Sequence, residues 1–108
     1  MTYTVTLTAD QVTWISKAIH TQINRCQQRK RCAAKRLKEL RPELQASRVR
    51  DALLIAGGVQ DLPGTTGELR NAVRHRKNMI AHLALKITAG AALLEQFEAL
   101  EQETKTTL

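Results

Sequence analysis

Aromatic residues are almost missing from this chain: Tyr3, Trp14 and Phe97 are the only three in 108 residues. With so few large rings the apolar share comes from Ala, Leu, Ile and Val, which suits helices packed on helices better than a sandwich or barrel. Cysteine is scarce too. Cys26 and Cys32 stand on an expected helix about 120° apart and roughly 9 Å along the axis, so they cannot bridge each other. Neither a CxxC nor a Cys/His metal spacing occurs, so no metal and no other cofactor is expected, and the setting reads as reducing and cytoplasmic. No signal peptide is expected from the opening residues, and no apolar run of about 18 residues could span a membrane. A Gly-rich phosphate loop, paired carboxylates and a nucleophile elbow are all absent, which removes the commonest enzyme classes.

Acidic residues are the other shortage. Seventeen Lys and Arg stand against ten Asp and Glu, a net charge of +7. The excess is uneven. Residues 25–50 hold ten basic and two acidic side chains, residues 70–86 add five basic and none acidic, and residues 87–108 carry four Glu against Lys105. Such clusters favour a polyanion or an acidic protein surface.

What is present reads as one all-α domain, residues 1–108. Tyr3-Thr4-Val5-Thr6-Leu7 alternates and is β-branched, predicting one short strand over 3–7 that needs a partner for its edges. Thr8 with Gln11 forms a capping box. Val12, Ile15, Ile19, Ile23, Cys26, Ala33, Leu37, Leu40 and Leu44 then recur at threes and fours, interrupted by Lys30, predicting an amphipathic helix over 9–41 with a seam close to a heptad repeat. Trp14 falls on the far side of that seam. Pro42 should end or kink this helix, leaving a short third helix over 43–56 with Leu44, Val49, Ala52, Leu53 and Ala56 inward. Gly57-Gly58 supplies its stop, and 57–66 is a loop. Thr65 with Glu68, or Thr66 alone, caps a final helix over 67–103. Its stripe is Leu69, Val73, Ile80, Leu83, Ile87, Ala91 and Leu94, with Ala72, Met79 and Phe97 beside it.

Two helices of this length each span roughly 45–50 Å, whereas a globule of this chain length is about 35 Å across. The expected architecture is therefore a long antiparallel helical hairpin. Its seams exceed what one partner helix covers, so a homodimer is expected. Antiparallel packing would bring Arg25–Arg41 beside Arg70–Lys77 as one basic patch. The candidate binding residues are Arg25, Arg29, Lys30, Arg31, Lys35, Arg36, Arg70, Arg74 and Lys77.

On the last helix Asn71, His75, Asn78 and His82 share one polar arc, and the two histidines, roughly 10 Å apart along the axis, are too distant to share a metal unaided. The spacings Arg70-Asn71 through His75 and Arg76-Lys77 through His82 resemble the Arg-x4–6-His motif of HEPN-type ribonucleases, small all-α dimers whose motifs meet at the dimer interface. The resemblance implies metal-independent RNA cleavage, with Arg70, His75, Arg76 and His82 as the catalytic set. Histidine can move protons near neutral pH and Arg offers paired donors to phosphate.

The opening TVTLTADQVTWISKAI resembles small accessory proteins of bacteriophages. That resemblance implies a host-takeover or anti-defence inhibitor acting by direct binding in the bacterial cytoplasm. With no aromatic interleaving for base stacking and no helix-turn-helix spacing, the expectation is a non-enzymatic binder. Its basic helical surface would engage nucleic acid or a nucleic-acid-handling protein complex, the ribonuclease being the alternative.

Overall fold

A computed structural model describes residues 6–107, with side chains through residue 100. Two long helices account for nearly all of it: α1 (Ala9–Ala56) and α2 (Thr65–Thr107). The fold is all-α, and no helix among the described residues is long and apolar enough to cross a membrane. The expected strand lies mostly outside the described residues. Its last two members, Thr6 and Leu7, form no strand.

The start of α1 follows the capping box. The Thr8 amide donates to Gln11 Oε1 at 2.9 Å and the Gln11 amide to Thr8 Oγ1 at 3.2 Å, so two otherwise orphaned donors satisfy each other's side chains. Along α1 the protected positions then recur in an unbroken four-three rhythm from Val12 through Ser16, Ile19, Ile23 and Cys26 to Leu44 and Ser47. That is a heptad seam.

Pro42 does not stop the helix. It lies within α1, and the separate helix expected over 43–56 is the continuation of the first. The ring removes one backbone donor and strains the turn before it, but Pro42 is exposed, so the freed carbonyl faces water. On the opposite face Leu37, Leu40 and Leu44 are buried together with Val73, and Leu69, Ala72 and Ile80 pack against them. Burying each such leucine is worth about 1.5–3 kcal/mol, which together outweighs the roughly 3 kcal/mol that an interior proline costs. The packing keeps the helix in phase across the proline.

The stop comes at the glycines. Gly58 takes a φ of 87°, and its amide donates to the Ile55 carbonyl while the Val59 amide reaches that of Leu54, both at 3.0 Å. This is a Schellman motif, whose left-handed residue glycine adopts without steric cost. α2 begins at Thr65, where the Glu68 amide bonds the Gly64 carbonyl at 3.1 Å. Neither threonine caps in the expected way, because Thr66 is turned into the seam.

The contacts fall into two compact units, residues 1–28 with 84–108 (unit 1) and residues 29–83 (unit 2). Each is a pair of helix segments taken one from α1 and one from α2. In unit 2 they run antiparallel through the loop. In unit 1 they are antiparallel as well: His20 meets Glu98 at 3.5 Å, and a Cβ added to Gly90 would lie 2.9 Å from Ile23 Cγ1. Gly90, rather than its neighbour Ala91, holds the seam position, since Ala91 is exposed.

A second correction concerns the last turns of α1. Leu44 is buried as expected, but Val49, Ala52, Leu53 and Ala56 face solvent, with Val49 51% and Leu53 69% exposed. Without a break at Pro42 the heptad phase carries Ser47, Asp51 and Leu54 inward instead, because a continuous helix cannot rotate its faces.

Candidate functional site

Unit 2 holds a cleft of about 500 Å³ between its two helices. Leu44 and Val73, both buried, form the floor. The walls are Arg41, Gln45 and Arg48 from α1 and Arg70, Arg74, Lys77 and Asn78 from α2, all exposed. Helical geometry explains the gathering. Arg41 and Arg48 each follow a seam position on α1 by one residue (Leu40, Ser47), and Arg70 and Lys77 do the same on α2 (Leu69, Arg76). In an antiparallel helix pair those flanking positions line the same edge of the seam.

The electrostatics of this edge are one-sided. Five cations line the cleft and no carboxylate does. Among the described residues, none of the five forms an ion pair; the unit's ion pairs are Arg36 with Glu39 and Arg50 with Asp51, each at 3.2 Å. Seam-flanking positions of packed helices commonly carry opposite charges that stabilise the pair. Here Arg70 and Arg74, four apart, and Arg74 and Lys77, three apart, instead repel along one helix face, each at a cost of about 0.2–0.5 kcal/mol. An anion seated between the two rows would relieve that repulsion and accept paired bonds from the guanidinium forks.

The expected binding residues divide. Arg70, Arg74 and Lys77 line the cleft. Arg29, Arg31, Lys35 and Arg36 are exposed on α1 within unit 2 but do not line it. Arg29 and Arg36 immediately precede seam positions, which sets them on the other edge. Lys30 is half-buried within the seam, and Arg25 belongs to unit 1. From α1 it is Arg41 and Arg48 that meet the α2 cations. The missed signal was the spacing of seven between them, in phase with the seam and spanning Pro42.

The residues of the ribonuclease motif do not converge here. Arg70 lines the cleft. His75, about 140° further around the helix, is exposed and does not line it, and neither does exposed His82. Arg76 sits half-buried at a seam position. No group of three or more His, Cys, Asp or Glu among the described residues could hold a metal ion. Cys26 is buried and Cys32 exposed, both free.

At the loop end of unit 2 a closed polar ring ties the helices together. Arg50 Nη2 donates to Ser47 Oγ at 3.3 Å and to Asp51 Oδ1 at 3.2 Å. Ser47 Oγ and Thr66 Oγ1 are in short contact, and Thr66 Oγ1 donates to Asp51 Oδ2. With one proton on each hydroxyl, the order that satisfies all partners runs from Arg50 through Ser47 and Thr66 to Asp51. The Thr66 hydroxyl, and then the Arg50 guanidinium, hold the Asp51 carboxyl below its usual range. The ring ties the first turn of α2 to the last turns of α1, beside the cleft. Comparisons with protein-family models, with curated proteins and with solved structures return no match for this chain.

Proposed function

We propose that the protein acts by stoichiometric binding, holding the phosphate backbone of a nucleic acid in the cationic cleft of unit 2. The observation that carries the reading is the lining itself: Arg41, Arg48, Arg70, Arg74 and Lys77 without a carboxylate among them. Guanidinium groups recognise phosphate through paired donors, and the amides of Gln45 and Asn78 add neutral donors. No aromatic side chain lines the cleft, so recognition is by backbone rather than by stacked bases and is indifferent to sequence. Inhibition of a nucleic-acid-handling complex, the role implied by the resemblance to phage accessory proteins, would use the same surface against an acidic protein face. The ribonuclease reading has less support, because both histidines lie away from the cleft lining and Arg76 is held in the seam.

The test is fluorescence anisotropy with a labelled duplex over a salt series. Five phosphate contacts give a log–log salt slope of about −4 to −5. Arg41→Glu with Arg74→Glu is expected to lower affinity by on the order of 100-fold and to flatten the slope by about two. Binding unchanged in that double variant sinks the reading. The nucleic acid is expected to be recovered intact; cleavage that His82→Ala abolishes would install the ribonuclease instead.

A further inference from the structure

The last three turns of α1 present two opposed faces. One is the seam, where Leu54 stands with Ser47 and Asp51 of the polar ring. The other, directly opposite, carries Ala46, Val49, Leu53 and Ala56, with Ala52 beside them, all exposed. A helix face of this length with no charged residue is unusual in unit 2, whose segments carry thirteen Lys and Arg against five Asp and Glu.

We propose that this face is the contact between two copies of the chain, packed about a two-fold axis near residue 51. The pattern itself names the occupant. The spacings are three, four and three, and the sizes run small, large, large, small, so the row reads the same in both directions. An isologous interface requires that self-complementarity. With two such rows antiparallel, Val49 of each copy meets Leu53 of the other, while Ala46 and Ala56 let the backbones approach at the flanks. A foreign partner would impose no such palindrome.

The absence of charge agrees with a second copy, and the area sets its strength. Two units rich in cations repel wherever their charged faces meet, and this uncharged row is where they can touch: Arg48 lines the cleft, the Arg50 guanidinium is held on Ser47 and Asp51, and repulsion beyond about 8–10 Å is screened. The row alone, Val49 and Leu53 at 51% and 69% exposure with the three alanines, exposes on the order of 350 Å² per copy. Doubled, that is roughly 700 Å², the size of a weak, reversible contact. The dimer is therefore of low affinity, and it sets two cationic clefts on one particle.

Sedimentation of the full chain across a concentration series tests this. Wild type is expected to pass from the 12.1 kDa chain mass to twice that value in the micromolar range. Leu53→Glu is expected to remain at the chain mass with its helical circular dichroism intact, since Leu53 is 69% exposed and supports no core. Leu85→Glu, at an equally exposed leucine of unit 1 (71%), is expected to dimerise as wild type does. With Cys32 replaced by Ser, Ala52→Cys is expected to form an intermolecular disulfide on oxidation and Lys35→Cys is not. Wild type at the chain mass throughout, a dimer that survives Leu53→Glu, or one that Leu85→Glu disrupts would each overturn the proposal. Sedimentation reads mass alone, so failure here leaves the nucleic-acid reading to its own titration.

Discussion

Units 1 and 2 share one construction and differ in what decorates it. Both pair a stretch of α1 with an antiparallel stretch of α2 through a four-three seam. Along the equivalent edge, unit 1 sets His20 against Glu98 at 3.5 Å, an arrangement that attracts when the imidazole is protonated. Unit 2 sets Arg41 and Arg48 against Arg70 and Lys77. The segments of unit 1 carry four basic and five acidic residues, so the whole positive excess of the chain resides in unit 2. A helix pair needs no such concentration to fold, as unit 1 demonstrates. The cationic edge of unit 2 is therefore a feature tolerated by the fold rather than required by it, as the proposed phosphate-binding role would have it.

The comparison can be broken most severely at the seam. Leu40→Ala in unit 2 and Leu94→Ala in unit 1, at sites 2% and 8% exposed, are each expected to cost about 2–5 kcal/mol in urea unfolding. A much smaller loss in one unit would mean that the seams are not equivalent. Gly90→Val follows, since a Cβ there already crowds Ile23; overpacking is expected to cost about 1–3 kcal/mol. No glycine of unit 2 has a seam position, so the effect is particular to unit 1.

The polar ring of unit 2 is expected to make stability depend on acid. Because folding lowers the Asp51 pKa below its ordinary 3.8, its contribution is present in full above that value. It is lost as pH falls through the lower folded value. Asp51→Asn should lower the urea midpoint at pH 7 and flatten the decline between pH 5 and pH 2; an unchanged acid limb would remove Asp51 from the account. The smallest effect is at the edge itself. Arg48→Gln with Arg74→Gln is expected to raise stability by a few tenths of a kcal/mol per relieved contact at low ionic strength, with the gain vanishing in 1 M salt. Affinity for the duplex should fall in the same variant. A variant that gained nothing in stability would show the edge to be electrostatically neutral.

Much of the fold is legible in the residues. The Thr8–Gln11 box, the Gly57-Gly58 stop and the apolar rhythm of both helices are local signals, and the hydrogen bonds and burial follow them. Pro42 misleads because its local cost is certain while the compensating burial of Leu37, Leu40 and Leu44 against Val73 depends on residues some thirty positions away. The same misreading sent Val49 and Leu53 inward. Of the candidate site, Arg70, Arg74 and Lys77 could be singled out because they cluster in sequence. Arg41 and Arg48 could not be matched to them without knowing that the seam's phase survives the proline.

The sequence by itself determined the helical class, the position of the loop, the seam periodicity and the sign of the charge, because each follows from propensity, spacing and composition within a few turns of chain. Only the tertiary structure decided which cations face one another across Leu44 and Val73, that Thr66 would bond Asp51 rather than cap its own helix, and which apolar face would be left in water. Those outcomes depend on the register of one helix against another. That register is set by the packing of the whole seam, which no single stretch of sequence contains.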